Sequence, residues 1–534
     1  MNTESRADDW KVIYVSDPSS MTNYDFDPGR ARPLITSHPT TPDELRDLVD
    51  NIAMNKPDTL IQEVYNAGWI MYFRSDRFEY DARPQHRRFM PMMDDGIMPL
   101  QVLLDQARKH GMQFLAGFRL NDRHGSPDQG GMFIHKNPQW KIKEMPPGTN
   151  FVPGNMLDFS FDGVRDYVFS VLQEVVERFD VDGIELVFRE GLYFPAPDGD
   201  RSIARERQPL MTGLIRRVRE MLDSTGRTRG RKLVLGARVP QTLEECHNVG
   251  FDVPTWIEEQ LIDYVAPQDT MWSDFNAQYD EFSSLTRATD CRLYPGVLPY
   301  CSGLDRTGPA LTLENYRALV RTLRREGADG VSLYNFQMHW DGFRMVDANL
   351  GSETNYPLAL SYMREIRDLA KVDAGGRHYL FHPMNGDSTG FGPPGMTWQG
   401  VFRDERIVLN RDEKGASGRF RFRLYEDFEQ LGFAKLFFRA GGLGPYDRIA
   451  VDINGTIIAA GQVRHIWHKE GRSKSVARAL PPHTTCILDL AAPPVIAGDN
   501  YLGVKLLFSG AVAEAGEDAE EIVIDEIEVT VLPR

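Results

Sequence analysis

The sequence predicts a (β/α)8 TIM barrel followed by an antiparallel β-sandwich. Strand-like and helix-like segments alternate between residues 58 and 369, which indicates parallel strands joined by helical crossovers. After about residue 376 the helical periodicity disappears, and short segments alternate between apolar and polar residues with a period of two. The length of 534 residues leaves room for both a barrel and a second domain.

Eight short apolar segments are the predicted barrel strands. They cover residues 58–66, 112–120, 156–159, 183–188, 232–239, 263–266, 292–297 and 330–336. The clearest helix is residues 162–179, where Val164, Val168, Val171 and Val175 recur at helical spacing. Because eight βα units close a barrel, we assign residues 51–372 to the barrel, and we expect residues 1–50 to be a lead-in packed on it.

Residues 376–534 carry the pattern of the predicted sandwich. Glycine and proline are dense at residues 390–395 (GFGPPG), and short period-two segments follow, for example residues 418–424 and 502–508. Turn-forming residues separate these segments, as is typical of an antiparallel β-sandwich. The region shows no internal repeat.

Charge and composition exclude several classes of partner. The formal net charge of −16 argues against nucleic acid, because phosphate binding needs a basic surface. No apolar stretch approaches the roughly 18 residues of a membrane helix, so we expect no membrane association. The N-terminus lacks a basic head followed by an apolar segment, which predicts a cytoplasmic protein unless a leader has been removed.

Motifs for cofactors are also missing from the sequence. Residues 62–64 hold no His-x-His pair, and the four cysteines form no CxxC pair, which argues against a metal centre. The one GxGxxG match, at residues 390–395, contains two prolines and does not link a strand to a helix. We therefore expect no cofactor.

The active site of a parallel barrel lies at the carboxyl ends of its strands. Polar and aromatic residues on the predicted strands or shortly after them are therefore the candidate site residues. They are Glu63, Arg119, Asp122, Glu185, Arg189, Glu190, Arg238, Gln268, Asp269, Trp272, Tyr300, Asn335, Gln337, His339 and Trp340.

The most specific segment is residues 180–190 (DVDGIELVFRE). Side chains alternate along a strand, so Glu185, Val187 and Arg189 should face the barrel interior if Ile184 faces the helices. A carboxylate inside a barrel must be paired or solvated, because burying an unpaired charge is costly. Arg189 is the expected partner of Glu185, and a purely structural pair of these residues is the alternative to catalysis.

Residues Asp182, Gly183, Ile184, Glu185 and Leu186, with Phe188, resemble strand four of a group of bacterial glycosidase-like barrels, whose pattern is Asp-Gly-Ile-Glu-Leu-Asp-Phe. The sequence departs from that pattern at Val187, where the group has Asp. The chitinase-like pattern fits less well, because Arg189 stands at the position of its acid.

The resemblance implies a glycoside hydrolase that cleaves an oligo- or polysaccharide with two carboxyl groups. Under this hypothesis Glu185 is the first candidate on strand four, and Glu190 is the competing choice. Asp269 is the expected partner carboxyl group, while Glu63, Asp122 and Asp341 are held in reserve. The remaining candidate residues would contact the carbohydrate substrate.

Four arginines suggest a finer hypothesis about the substrate. Arg74, Arg119, Arg189 and Arg238 lie at or just past predicted strand ends. Because the guanidinium fork binds carboxylate and sulfate with two hydrogen bonds, their convergence would favour a uronate or sulfated sugar.

Two alternatives to hydrolysis stay open. Val187 in place of Asp favours a barrel that binds carbohydrate without cleaving it. A sugar lyase or isomerase acting by proton abstraction is the second alternative, since fold alone does not determine function. The sandwich, of the carbohydrate-binding-module type, could bind sugar, buttress the barrel or mediate formation of a homo-oligomer.

Overall fold

The computed structural model describes most of the chain. The described residues are 9–16, 39–66, 68–83, 86–121, 131–143, 156–188, 191–269, 273–299, 311–336, 339, 358–382, 384–385, 401–402, 406–469, 471–472, 479–480, 482–510 and 520–534. No helix within these ranges is long and apolar enough to cross a membrane.

Parallel strands form a closed barrel, which confirms the predicted fold class. They are β1 (Lys11–Ser16), β2 (Thr59–Asn66), β3 (Gln113–Arg119), β4 (Gly183–Val187), β5 (Val234–Pro240), β6 (Tyr264–Gln268), β7 (Arg292–Leu293 and Gly296–Val297) and β8 (Gly330–Leu333). Each strand pairs in parallel with the next, and β1 pairs with both β2 and β8. The first part of β7 pairs with β6 and the second with β8, which completes the circle.

One predicted barrel strand was wrong, and one barrel strand was missed. The first barrel strand is Lys11–Ser16, not residues 58–66, so the first fifty residues include part of the barrel rather than only a lead-in. Residues 156–159 do not join the barrel sheet. Leu157 instead forms an isolated antiparallel bridge with Lys141, and its backbone N–H and C=O groups pair with the side-chain amide of Asn121 (2.8 and 2.9 Å).

Helices follow the strands around the outside of the barrel. They are Pro42–Ala53, Met90–Asp94, Pro99–Lys109, Met132–Lys136, Asp162–Arg178, Ser202–Glu206, Gln208–Arg229, Leu243–Asn248, Val253–Glu258, Asp280–Arg287, Leu313–Arg325, Leu358–Arg367 and Leu369–Ala374. Sequence signals explain their ends. For example, Thr41 and Glu44 cap the first helix reciprocally, and Gly230, with a φ of 68°, ends the longest.

Two larger antiparallel sheets form most of the described C-terminal region, as predicted, and two antiparallel pairs of short strands accompany them, Met384–Asn385 with Val401–Phe402 and Gly471–Arg472 with Ala479–Leu480. One contains Arg377–Phe381, Ile407–Asn410, Leu431–Gly441, Arg464–His468, His483–Asp489 and Glu521–Pro533. The other contains Ser417–Leu424, Arg448–Ile453, Thr456–Ile458 and Gly498–Phe508. The buried rings of Phe381 and Phe422, one from each sheet, lie 5.9 Å apart, so the sheets pack as a sandwich.

Candidate functional site

A buried charge network crosses the barrel interior and is centred on Arg238 of β5. Its Nε and Nη2 atoms donate to the two carboxylate oxygens of Glu185 on β4, at 3.0 and 3.2 Å. Nη1 donates to Oε1 of Gln268 on β6, and Nη2 also donates to the hydroxyl of Ser332 on β8 (2.6 Å). The hydroxyl of Tyr264 donates to the second oxygen of Glu185 (2.8 Å). Both oxygens of Glu185 are therefore engaged.

Glycines on neighbouring strands make room for this network. A Cβ atom at Gly236 would lie 2.0 Å from the ring of Tyr264, which crosses that position to reach Glu185. A Cβ atom at Gly296 would lie 2.0 Å from Oε1 of Gln268. Because real Cβ contacts are never this short, any larger residue at either position would displace a member of the network.

A second carboxylate lies close to this network. Glu63 on β2 accepts a hydrogen bond from the hydroxyl of Tyr334 (2.7 Å), and Nη1 of Arg119 on β3 lies 3.9 Å from its other oxygen. The ring of Tyr334 also lies 4.8 Å from the guanidinium carbon of Arg238. The interior therefore holds two carboxylates and two guanidinium groups, so its formal charges balance.

Electrostatics favour the charged form of Arg238. Burial alone would lower the pKa of Arg238, but the charge and hydrogen bonds of Glu185 outweigh burial and raise it. Burial, followed by the negative charge of Glu185, raises the pKa of Tyr264 well above its usual value. This geometry gives Glu185 the role of holding Arg238. Its predicted catalytic role stays a prediction.

Three described candidates lie at the carboxyl ends of β6 and β8. Asp269 follows Gln268 at the end of β6, and both are buried. Asn335, after β8, is also buried and has a φ of 53°, in the left-handed region that few residues other than glycine adopt. Such a backbone conformation is enriched at functional sites.

His339 is buried against aromatic rings just past β8. Its Nε2 atom lies 2.7 Å from the hydroxyl of Tyr316, and its ring contacts those of Phe336 and Tyr362. Burial lowers the pKa of His339 to about 3, so the imidazole is neutral at physiological pH. A neutral imidazole can donate and accept hydrogen bonds but has no positive charge with which to attract an anion.

This depressed pKa predicts a specific pH dependence of stability. Below the ordinary histidine pKa of about 6.5 the unfolded chain binds a proton at this residue and the folded chain does not, so stability falls as the pH drops from about 6.5 towards 3. Urea unfolding at a series of pH values from 7 to 4 gives the free energy of unfolding as a function of pH. We expect His339→Gln to reduce the decrease of this free energy between pH 7 and pH 4. His135→Gln, at an exposed histidine, is the control. Parallel curves for wild type and His339→Gln would contradict the assignment.

Eight predicted site residues lie outside the described residues. They are Asp122, Arg189, Glu190, Trp272, Tyr300, Gln337, Trp340 and Asp341. Of the predicted arginines, Arg238 donates to protein groups through all three of its guanidinium nitrogens, and Arg74 forms an ion pair with Asp94. Within the described ranges no cluster of three or more histidine, cysteine or acidic side chains could hold a metal ion.

Sequence analysis missed three members of the interior network. Tyr264, Ser332 and Tyr334 lie on the barrel side of β6 and β8 and bind Glu185, Arg238 and Glu63. Alternation puts Tyr264 on the same face as Gln268, four residues away, and Ser332 on the same face as Tyr334, two residues away. The predicted site residues included Gln268 but none of these three.

Similarity to known proteins agrees with the expected resemblance. Residues 31–206 match the model of the family described as Glycosyl hydrolase-like 10. This segment contains β2, β3 and β4, including Glu63, Arg119 and Glu185. The predicted similarity to glycoside hydrolase-like barrels is confirmed over these residues.

Curated relatives align with part of the chain. The chain is 28% identical over 253 residues to "Glycosyl hydrolase DigH" of Escherichia coli K12, an alignment that covers 39% of this chain. The same values hold for the protein of that description from Shigella flexneri. The chain spans about half (55%) of the length of these curated relatives.

Two solved structures align with about two thirds of the chain. The PgaB (BpsB) glycoside hydrolase domain from Bordetella bronchiseptica has a TM-score of 0.41 and 14% identity, covering 67% of this chain and 99% of that one. Alpha-L-fucosidase isoenzyme 2 from Paenibacillus thiaminolyticus has a TM-score of 0.39 and 10% identity, covering 69% and 51%.

Proposed function

We propose that this protein hydrolyses glycosidic bonds at the carboxyl end of its barrel. The observation that carries the proposal is the match of residues 31–206 to a glycoside hydrolase-like family. The position of Asp269, directly after β6, supports it, because reactive groups of parallel barrels lie at this end. The substrate is an oligo- or polysaccharide.

The proposed mechanism uses two carboxyl groups on either side of the scissile bond. One protonates the leaving oxygen, and the other attacks the sugar or activates water. We assign one role to Asp269 and the other to Glu190, which follows β4 in the sequence. Glu63 is the reserve for either role. Glu185 acts as a positioning residue, because Arg238 and Tyr264 engage both of its oxygens.

The described groups favour a neutral sugar over an anionic one. Gln268 Nε2 and Asn335 Oδ1, at the carboxyl ends of β6 and β8, are buried atoms without a hydrogen-bond partner among the described residues, and both belong to uncharged side chains. Hydroxyl or amide groups of a neutral glycan would satisfy them. Recognition of a uronate or sulfated sugar would depend on Arg119 and Arg189, since Glu185 neutralises Arg238.

A reducing-end assay over neutral, uronate-containing and sulfated glycans tests this proposal. We expect new reducing ends from a neutral glycan, without the ultraviolet-absorbing unsaturated product that a lyase would form. Cleavage restricted to charged glycans would favour the arginine hypothesis. An unsaturated product would replace hydrolysis with elimination.

A carbohydrate-binding barrel without catalytic activity is the second candidate. It is favoured by Val187, where the related strand-four pattern has Asp, and by the complete engagement of Glu185. Calorimetric binding of a glycan that the protein does not cleave, under conditions in which a known glycosidase cleaves it, would support this candidate over hydrolysis.

A further inference from the structure

The segment that follows Asp269 lies between the barrel and the sandwich. Residues 273–279, called the rim segment below, begin four positions after Asp269 and lead into helix Asp280–Arg287. Phe275 and Asn276 in this segment are 2% and 3% exposed. Such burial is unusual for a loop, because loop backbone normally needs water to satisfy its polar groups.

The side chain of Asn276 replaces water by pairing with the sandwich backbone. Its Nδ2 atom donates to the carbonyl oxygen of Arg421 (2.8 Å), and its Oδ1 atom accepts from the amide of Arg423 (3.0 Å). Both partners belong to strand Ser417–Leu424. The amide group therefore binds this strand much as the backbone of a neighbouring strand would.

Apolar and charged contacts extend this attachment on both sides of Asn276. The ring of Phe275 packs edge-on against Phe381 of the sandwich, with centroids 6.5 Å apart. Arg423 donates to Glu326 of the barrel (2.5 Å), and Glu326 in turn lies 3.4 Å from the amide of Tyr279. The rim segment is thus held by the sandwich directly and through Glu326.

The other side of the rim segment is attached to the barrel. The hydroxyl of Ser273 donates to the carbonyl oxygen of Leu298 after β7 (2.7 Å) and accepts from its amide (2.9 Å). Asp274 accepts from the side chain of Gln241 after β5 (2.7 Å) and from the amide of Asn276 (2.9 Å). These bonds connect the segment to the carboxyl ends of the strands on either side of β6.

We propose that the sandwich is a positioning element of the barrel's site, acting through Asn276 and Phe275 on the segment that follows Asp269. By holding the rim segment, the sandwich contributes to the orientation of the Asp269 carboxyl group. This inference rests on the proposed function for its catalytic consequence. The attachment of the rim segment to the sandwich can be tested without activity.

The test compares Asn276→Ala with Asn500→Ala in the full-length protein. Asn500 is a matched control, because its buried side chain bridges backbone groups within the sandwich alone, at Ile496 and Gly498. We measure hydrogen exchange of peptides covering residues 273–279, and kcat and KM on the best glycan of the panel. We expect Asn276→Ala to raise exchange of the rim segment at least tenfold and to lower kcat at least tenfold with a smaller change in KM. Asn500→Ala should change neither.

Three outcomes decide the inference. Unchanged exchange and kcat in Asn276→Ala, or equal effects in Asn500→Ala, would overturn it. If wild type cleaves no glycan, the proposed function fails, while the exchange comparison still decides whether the sandwich holds the segment. Asn276→Asp is the second variant, for the case in which Asn276→Ala does not fold. It keeps the acceptor for the amide of Arg423 and loses the donor to the carbonyl oxygen of Arg421, so we expect an intermediate increase in hydrogen exchange of the rim segment. Exchange equal to that of the wild type would count against the inference.

Discussion

Replacing Glu185 with alanine is expected to lower the free energy of unfolding by about 3–5 kcal/mol. The substitution leaves the guanidinium group of Arg238 fully buried without its counter-charge, and it removes the acceptor of the Tyr264 hydroxyl. Removing one partner of a buried ion pair is costly because the remaining charge has lost its water as well as its partner. Urea unfolding monitored by circular dichroism measures the effect.

A double substitution at Glu185 and Arg238 tests this structural role separately from catalysis. Glu185→Leu combined with Arg238→Met replaces both charges with apolar side chains, and we expect it to be more stable than Glu185→Ala alone. If Glu185→Ala changes stability by less than about 1 kcal/mol while activity disappears, Glu185 is a reacting group and not a positioning residue.

Asp269→Asn is expected to lower kcat by a factor of about 10² to 10⁴, the usual contribution of general acid–base catalysis. The amide has nearly the same shape as the carboxylic acid but cannot exchange a proton with the glycosidic oxygen or with water. The fold should stay intact by circular dichroism, since the residue lies at the mouth of the barrel. The measurement is steady-state hydrolysis of the best glycan substrate.

Asp263→Asn, at the opposite end of the same strand, is the matched control. Asp263 accepts from the backbone amide of Leu235 (2.7 Å) and from Arg219 (2.9 Å) at the amino end of β6. Residues at that end of a barrel serve stability, so this substitution should lower the unfolding free energy and leave kcat nearly unchanged. Full activity of Asp269→Asn would move the reacting group to Glu190 or Glu63.

In the strand-four segment, the sequence predicted the orientation of Glu185 but not its hydrogen-bond partner. Alternation correctly placed Glu185 inside the barrel, because side chains of a strand point to opposite faces with a fixed period. The expected partner was Arg189, four residues away, whereas the structure pairs Glu185 with Arg238, 53 residues away. Arg189 lies outside the described residues. A partner on another strand depends on register, which periodicity within one strand does not contain.

The fold class and the identity of the barrel strands had different outcomes. The alternation of strand-like and helix-like segments correctly predicted a barrel of parallel strands, because each βα unit repeats the same local pattern. The predicted strands included residues 156–159, which do not join the barrel sheet, and left out residues 11–16, which do. Residues 11–16 and 156–159 are both short and apolar, and local pattern alone does not distinguish them. Only the available hydrogen-bond partners do: β8 and β2 flank the first segment, and Asn121 satisfies the second.

By itself, the sequence determined the fold class, the order of the two regions and which face of β4 points inward, since these follow from periodicities of neighbouring residues. Only the tertiary structure decided that Glu185 binds Arg238, that Asn276 binds the sandwich backbone and that His339 is neutral. Each of these three properties depends on contacts between distant parts of the chain and on the exclusion of water from those contacts. Local residue spacing contains no information about either.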